Sequence, residues 1–208
     1  MYRILVATVA AIGLLFPLAP SRAMAQEVKE APAKKQLRTP DVIFVPTPHE
    51  VVEKMLDMAK VKKGDVVYDL GCGDGRIVVA AAKRGAKATG WDIDPVRVSE
   101  AKENVKKNKV EENAKIIQDD IFTLDLSGAN VITLYLLPQL NVKLIPQLEK
   151  LKPGSRIVSH DFDMAGVKPD EVVELETKHD AQADSQNYVG SSSHTIYFWT
   201  TPLKKEKP

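Results

Sequence analysis

Short β-branched apolar runs alternate with segments of helical apolar spacing along most of this chain, and nothing else in it constrains the fold as strongly. Val66 to Leu70 forms the first such run, followed by "RIVVAAAKR" with Gly85 as its stop. "AKATGWDI" is a second strand, and Asp94 with Pro95 opens a helix reaching about Lys107. "AKIIQ" and "ANVITLYLL" are the third and fourth strands, a helix spans Pro138 to Leu151, and "SRIVSHDF" is the fifth. Two further strands, "EVVELETKH" and "HTIYFWTTP", follow with no helix between them. Such repetition predicts a three-layer α/β sandwich, a mostly parallel seven-strand sheet with an antiparallel edge strand. Ahead of the first strand, Thr47, Pro48 and Glu50 spell a capping box. Val51, Val52, Met55, Leu56 and Ala59 continue it as an amphipathic helix to about Lys60.

The alternation does not begin at the start of the 208 residues. Arg3 precedes an apolar run from Ile4 to Leu18, and small Ala23 and Ala25 stand before Gln26, the pattern of a secretory signal peptide. Residues 1–25 are therefore expected to be a cleaved leader, with an exported (periplasmic or secreted) product and no stable membrane span after cleavage. Without cleavage the leader implies a membrane-anchored or organellar protein. Residues 26–40, polar and mixed in charge, read as a flexible linker, residues 41–203 as the domain, and 204–208 as a tail. A net charge of +1 provides no basic field for nucleic acid, and a single cysteine excludes an internal disulfide framework.

The ligand-bearing turn is "YDLGCGDGRI". Gly71, Gly73 and Gly75 lie at the C-terminal end of the first strand, where open α/β sheets bind ligands. The spacing is G-x-G-x-G rather than the dinucleotide G-x-G-x-x-G. Asp69 and Asp74 place negative charge where a pyrophosphate would lie. Asp92 ends the second strand, in position to take the hydroxyls of a ribose, and Asp120 follows the third, where an acid can accept from a purine amine. These residues describe a seat for an adenosine joined to a cationic, amino-acid-like group. S-adenosyl-L-methionine has that structure.

"VVYDLGCGDGRI", "GWDIDP", "IIQDDIF" and "VITLYLLP" together resemble the class I Rossmann-like S-adenosylmethionine-dependent methyltransferases. "FVPTPHEVVEKML" and "LYLLPQL" are similar to the small protein-lysine methyltransferases acting on the c subunit of mitochondrial ATP synthase and the adenine nucleotide translocase. The resemblance implies methyl transfer to a nitrogen or oxygen acceptor, a protein lysine foremost. It implies that Asp69 and the backbone of Gly71, Cys72, Gly73 and Gly75 hold the methionine part, Asp92 and Ile93 the ribose side, and Asp120 with Ile121 the adenine. Val45, Pro46 and Thr47 become contacts of a segment closing over the cofactor.

Methyl transfer from a sulfonium needs alignment and exclusion of water more than a catalytic triad, and none is present. Tyr135, at the end of the fourth strand, is expected to position the acceptor. Asp161 in "SHDFD" is a candidate acceptor-side base beside His160 and Asp163. One histidine and two acids are too few for a metal site, so none is expected. Cys72 reads as filler of a small slot in the turn. His49, His179 and His194 read as scattered surface or structural residues, and Tyr197, Phe198 and Trp199 as core. Phe44 to His49, Tyr135 to Gln139 and Asp180 to Ser193 are expected to form the substrate pocket. Two other readings stand beside the enzyme: a non-catalytic adenosyl-ligand-binding protein, and a nicotinamide-dependent oxidoreductase.

Overall fold

The computed structural model describes residues 37–177 and 193–206. The expected leader, most of the expected linker, His179 and the pocket segment 180–192 lie outside the described residues. No described helix is long and apolar enough to cross a membrane.

Among the described residues, seven strands form one sheet: β1 (Val66–Leu70), β2 (Lys87–Asp92), β3 (Ala114–Gln118), β4 (Val131–Leu134), β5 (Arg156–His160), β6 (Glu171–Glu176) and β7 (Ser193–Thr200). Their order is β3-β2-β1-β4-β5-β7-β6. β1 to β5 are parallel, and β7 runs antiparallel to both β5 and β6. The antiparallel member of the edge hairpin thus lies second from the edge, with β6 outermost. Around the sheet lie α1 (His49–Met58), α2 (Arg76–Lys83), α3 (Pro95–Lys107) and α4 (Pro138–Leu148). Strand order reverses between β1 and β4, so the strand ends there splay into the crevice that such sheets use for ligands.

Two apolar layers sandwich the sheet. One joins Val51, Met55 and Leu56 of α1 to Val78 and Ala81 of α2, over Val67, Val131 and Val158. The other packs Leu144 and Leu148 of α4 against Leu70, Ile132, Leu134 and Ile157. Alternate residues of one strand feed opposite layers, as strand geometry requires. Trp199, only 1% exposed, donates its indole N–H to the Val167 carbonyl, 3.1 Å away. Tyr197 and Phe198 are half-buried against the two layers.

Local signals decide some elements and fail at one. Asp94 caps α3 by accepting from Val96 N–H, with Pro95 in the first turn. The expected capping box at Thr47 does not form: α1 starts at His49 after Pro48 with no side-chain cap. The Thr47 hydroxyl instead lies 3.2 Å from His160 Nδ1, a buried partner that the sequence places 113 residues away.

At the opposite end of the strands from the crevice, Asp65 joins four segments. It accepts from Lys62 N–H at 2.9 Å, Asn130 Nδ2 at 3.0 Å and Arg156 at 2.6 Å, while Asn130 Oδ1 takes Val66 N–H. Burial opposes ionisation of Asp65, but Arg156 and these donors hold its carboxyl below the usual range. Stability from this group is therefore present at neutral pH and lost as pH falls through the carboxylate range. Asp65→Ala leaves Arg156 without its carboxylate, with only the Ala59 and Lys60 carbonyls as acceptors, and is expected to cost about 3 kcal/mol in urea unfolding. Unchanged stability would show that the network does not hold the sheet base.

Candidate active site

The crevice at the strand-order reversal is bounded by β1, the ends of β2 and β4, and the segment leading into α1. Asp69, 2% exposed, sits at its floor. Its Oδ1 accepts from the Thr133 hydroxyl at 2.6 Å, from the β4 residue in register with it. Its Oδ2 is buried and has no hydrogen-bond partner among the described residues. Burial pushes the carboxyl up to about 7, with the charges of Asp92 and Asp74 adding to the effect against the Thr133 bond. A buried acceptor without a donor is costly unless a ligand supplies one. An ammonium group in the crevice would do so, and Asp69 therefore fits the amino-acid end of the expected cofactor.

Asp92, half-buried at the end of β2, is held by two backbone donors, Gly73 N–H at 2.8 Å and Asp94 N–H at 2.9 Å. Burial raises its carboxyl in spite of them. The fixed carboxylate lines the crevice with Ile93, as a ribose seat requires. Gly73 lies directly beneath the Phe44 ring, where a β-carbon would come within 2.1 Å of Cε2. That close approach explains glycine there by packing of the lead-in segment, as well as by its φ of +53°. Gly75 serves helix packing: a β-carbon would meet Ala101 of α3 at 2.9 Å.

Several expected site residues line the crevice: Val45, Thr47, Asp69, Gly71, Cys72 and Asp92, and beyond them Ile93, Ile121 and Tyr135. Gly73, Gly75, Pro46, Asp120 and Asp161 do not. Asp120 caps the short 3-10 turn Ile121–Thr123 through Phe122 N–H and pairs with Arg38 at 2.7 Å, which holds its carboxyl low. Its neighbour Asp119 lines the crevice instead. Arg38 also pairs with Asp41 and lies over the Phe122 ring, so ordered contacts begin ahead of the expected domain start at 41. Asp74 does line the crevice, but its charge is met by Arg76 in a two-pronged pair, whose Nη1 also donates to the Thr47 carbonyl at 2.7 Å. Asp69 and Asp92, rather than Asp74, therefore set the sign of the floor. Cys72 is buried, its thiol pushed up by burial, against the bare α-carbon of Gly90.

Tyr135 forms one wall, its ring 3.9 Å from the His160 imidazole by centroids. Asp161, expected as an acceptor-side base, does not line the crevice: Oδ1 accepts from Thr195 N–H, and Oδ2 lies by His160 and His194. His194, expected to be scattered, is 6% exposed and 2.9 Å from His160. Burial lowers the His160 imidazole to about 4 against the raising effect of Asp161. Strand alternation carried a signal for His194, because it shares the inward face of β7 with Ile196. Arg38 and Arg97 were also missed, and no local pattern marks either.

An ammonium ligand selects the ionised form of Asp69, so S-adenosylhomocysteine is expected to bind more weakly as pH falls below about 7, with uptake of ligand releasing a proton. Calorimetry in buffers of different ionisation enthalpy reads both. Without ligand, the sign for stability is opposite: the native state keeps the proton that the unfolded chain loses, so stability falls as pH rises toward 7. Asp69→Asn is therefore expected to raise the melting temperature at neutral pH and to abolish binding. Normal binding by this variant would remove Asp69 from the seat.

A family profile described as "ANTKMT methyltransferase domain" matches residues 69–171. A protein-lysine N-methyltransferase of Saccharolobus islandicus is 45% identical over 163 residues, 77% of this chain and 94% of that protein. The human lysine N-methyltransferase named for the C subunit of ATP synthase is 31% identical over 130 residues, 62% of this chain and 55% of that protein. A crystal structure described as an RNA methyltransferase from Salinibacter ruber, in complex with S-adenosyl-L-homocysteine, shares 43% identity at a TM-score of 0.65. The match covers 79% of this chain and 97% of that one. With these relatives and this crevice, the chain belongs to the S-adenosylmethionine-dependent methyltransferases, in the family of the Saccharolobus protein-lysine N-methyltransferase.

Proposed function

We propose that the methyl acceptor is a lysine side chain of a protein. The names of the relatives offer both protein and RNA as acceptors. The observation favouring protein is the state of the arginines lining the crevice. Arg38 faces Asp41 and Asp120, Arg76 faces Asp74, and Arg97 faces Glu100 at 2.7 Å. Each cation already has a carboxylate, so the mouth offers little to a phosphate backbone, whose binding depends on cationic contacts. The net charge of +1 agrees.

When bound, S-adenosylmethionine would supply a sulfonium methyl group for transfer to an amine lone pair, with S-adenosylhomocysteine as the leaving group. Asp69 and Asp92 fix the two ends of the seat. Phe44 and Val45, in the lead-in segment, cover it and keep water out. Tyr135 forms the acceptor wall and positions the lysine Nζ. The amine must arrive without its proton, and a half-buried aromatic wall favours the neutral form by desolvation.

Incubation of an extract with methyl-labelled S-adenosylmethionine is expected to label protein, and hydrolysis to yield methyl-lysine. Label in RNA would overturn the proposal; label in neither would favour the non-catalytic binder. Tyr135→Phe is expected to lower kcat roughly ten- to hundredfold while leaving S-adenosylhomocysteine affinity near wild type. Equal loss of affinity would instead assign Tyr135 to the cofactor seat.

We also infer export through the leader Met1–Ala25, supported by Arg3, the apolar run and the Ala23 and Ala25 pair. N-terminal sequencing of the protein from fractionated cells is expected to start at Gln26. Retention of Met1 in the cytosolic fraction would reject export.

A further inference from the structure

Behind the Tyr135 wall, three ligand-bearing groups meet at one point. His160 ends β5, Asp161 follows it, and His194 lies near the start of β7, the antiparallel neighbour of β5. His160 Nε2 is 2.9 Å from His194 Nδ1 and 3.2 Å from Asp161 Oδ2. His194 Nδ1 is 3.4 Å from the same oxygen. The two imidazoles are buried, and Asp161 is half-buried, which gives the cluster a way to solvent.

While Asp161 is ionised, protons alone do not satisfy this triangle. If either imidazole N–H points at the other ring, the accepting nitrogen's lone pair and the Asp161 carboxylate repel each other. If both imidazoles donate to Asp161, two N–H groups face each other across 2.9 Å. If neither ring nitrogen carries the proton, three lone pairs converge. A cation at the centre removes the conflict in a single step.

We propose that His160 Nε2, His194 Nδ1 and Asp161 Oδ2 form a two-histidine, one-carboxylate site for a divalent transition-metal ion, with zinc the ion best suited to these donors. An ion bonded at about 2.1 Å to each atom sees the observed separations under angles of roughly 90–110°, between an octahedral face and a tetrahedron. Three protein ligands leave further coordination positions for water.

The outer contacts of His160 and Asp161 fit metal ligation, while His194 Nε2 is buried with no partner among the described residues. A ligating histidine commonly gives its other ring N–H to an acceptor, and His160 Nδ1 has the Thr47 hydroxyl at 3.2 Å. Asp161 Oδ1 is fixed by Thr195 N–H at 2.9 Å, leaving Oδ2 for the ion. Asp161 holds a φ of +57°, in the left-handed region that aspartate enters more readily than most residues. The ion would tie the end of β5 to the start of β7. It would also fix His160 against Thr47 and Tyr135, both of which line the crevice. His160 thereby becomes a positioning residue for the acceptor wall.

The test is titration of the chelator-stripped full chain, made without a polyhistidine tag, with Co2+ and with Zn2+. One Co2+ per chain is expected, with visible d–d absorption of a low-symmetry site, displaced by one Zn2+. Asp161→Asn and His194→Gln are each expected to weaken uptake at least about tenfold and to change the spectrum. Thr47→Val, which removes only the outer acceptor, is expected to weaken uptake less and keep the spectrum. Absence of stoichiometric uptake by the wild-type chain overturns the site whatever the variants do. Uptake unaltered in Asp161→Asn and His194→Gln overturns it as well. None of these readouts depends on methyl transfer.

Discussion

A carboxylate enclosed at the head of a β-sheet organises this molecule. Asp69 is placed in β1 beside Thr133 of β4, and the single hydroxyl bond between them is all the internal support its charge receives among the described residues. Enclosure of an acid in this way opposes folding, because ionisation is penalised where water is excluded. The remainder of the fold makes the position tolerable: parallel pairing on both sides of β1, two apolar layers, and the Asp65 network closing the far end of the strands. The same enclosure gives the site selectivity. Asp69 Oδ2 lacks a donor among the described residues, and a positively charged amino-acid group would meet that need for a hydrogen bond.

Two side chains carry that organisation outward. Arg76, the first residue of α2, links the Asp74 carboxylate to the Thr47 carbonyl and so fastens the entry to α1 beside the glycine turn. Thr47 then faces two ways, its backbone toward Arg76 and its hydroxyl toward His160. The crevice, Tyr135 and the histidine cluster therefore share one junction. A shift of α1 relative to β5 would be felt in all three.

Much of this architecture was legible because its signals are local. The apolar runs gave the strands, Asp94–Pro95 gave the start of α3, and the glycines with Asp92 located the crevice. What could not be read depends on partners distant in sequence. Thr47 has every local mark of a helix cap, and a buried imidazole outcompetes that role. Asp119 and Asp120 are indistinguishable as letters, yet a one-residue step at the end of β3 sends one to the crevice and the other to Arg38. Asp74 looked like a free charge until Arg76 folded back onto it. His194 reaches His160 only through the antiparallel register of β5 and β7, a pairing that no short window contains.

The position of β7 has a consequence for assembly. Among the described residues it is the last strand in sequence, yet it lies between β5 and β6 rather than outside them. While the polypeptide emerges from the ribosome, β6 has no neighbour and β5 presents an open flank. Both wait for residues 193–200. Completion of the sheet therefore waits for β7, and the histidine cluster behind Tyr135 is finished in the same event.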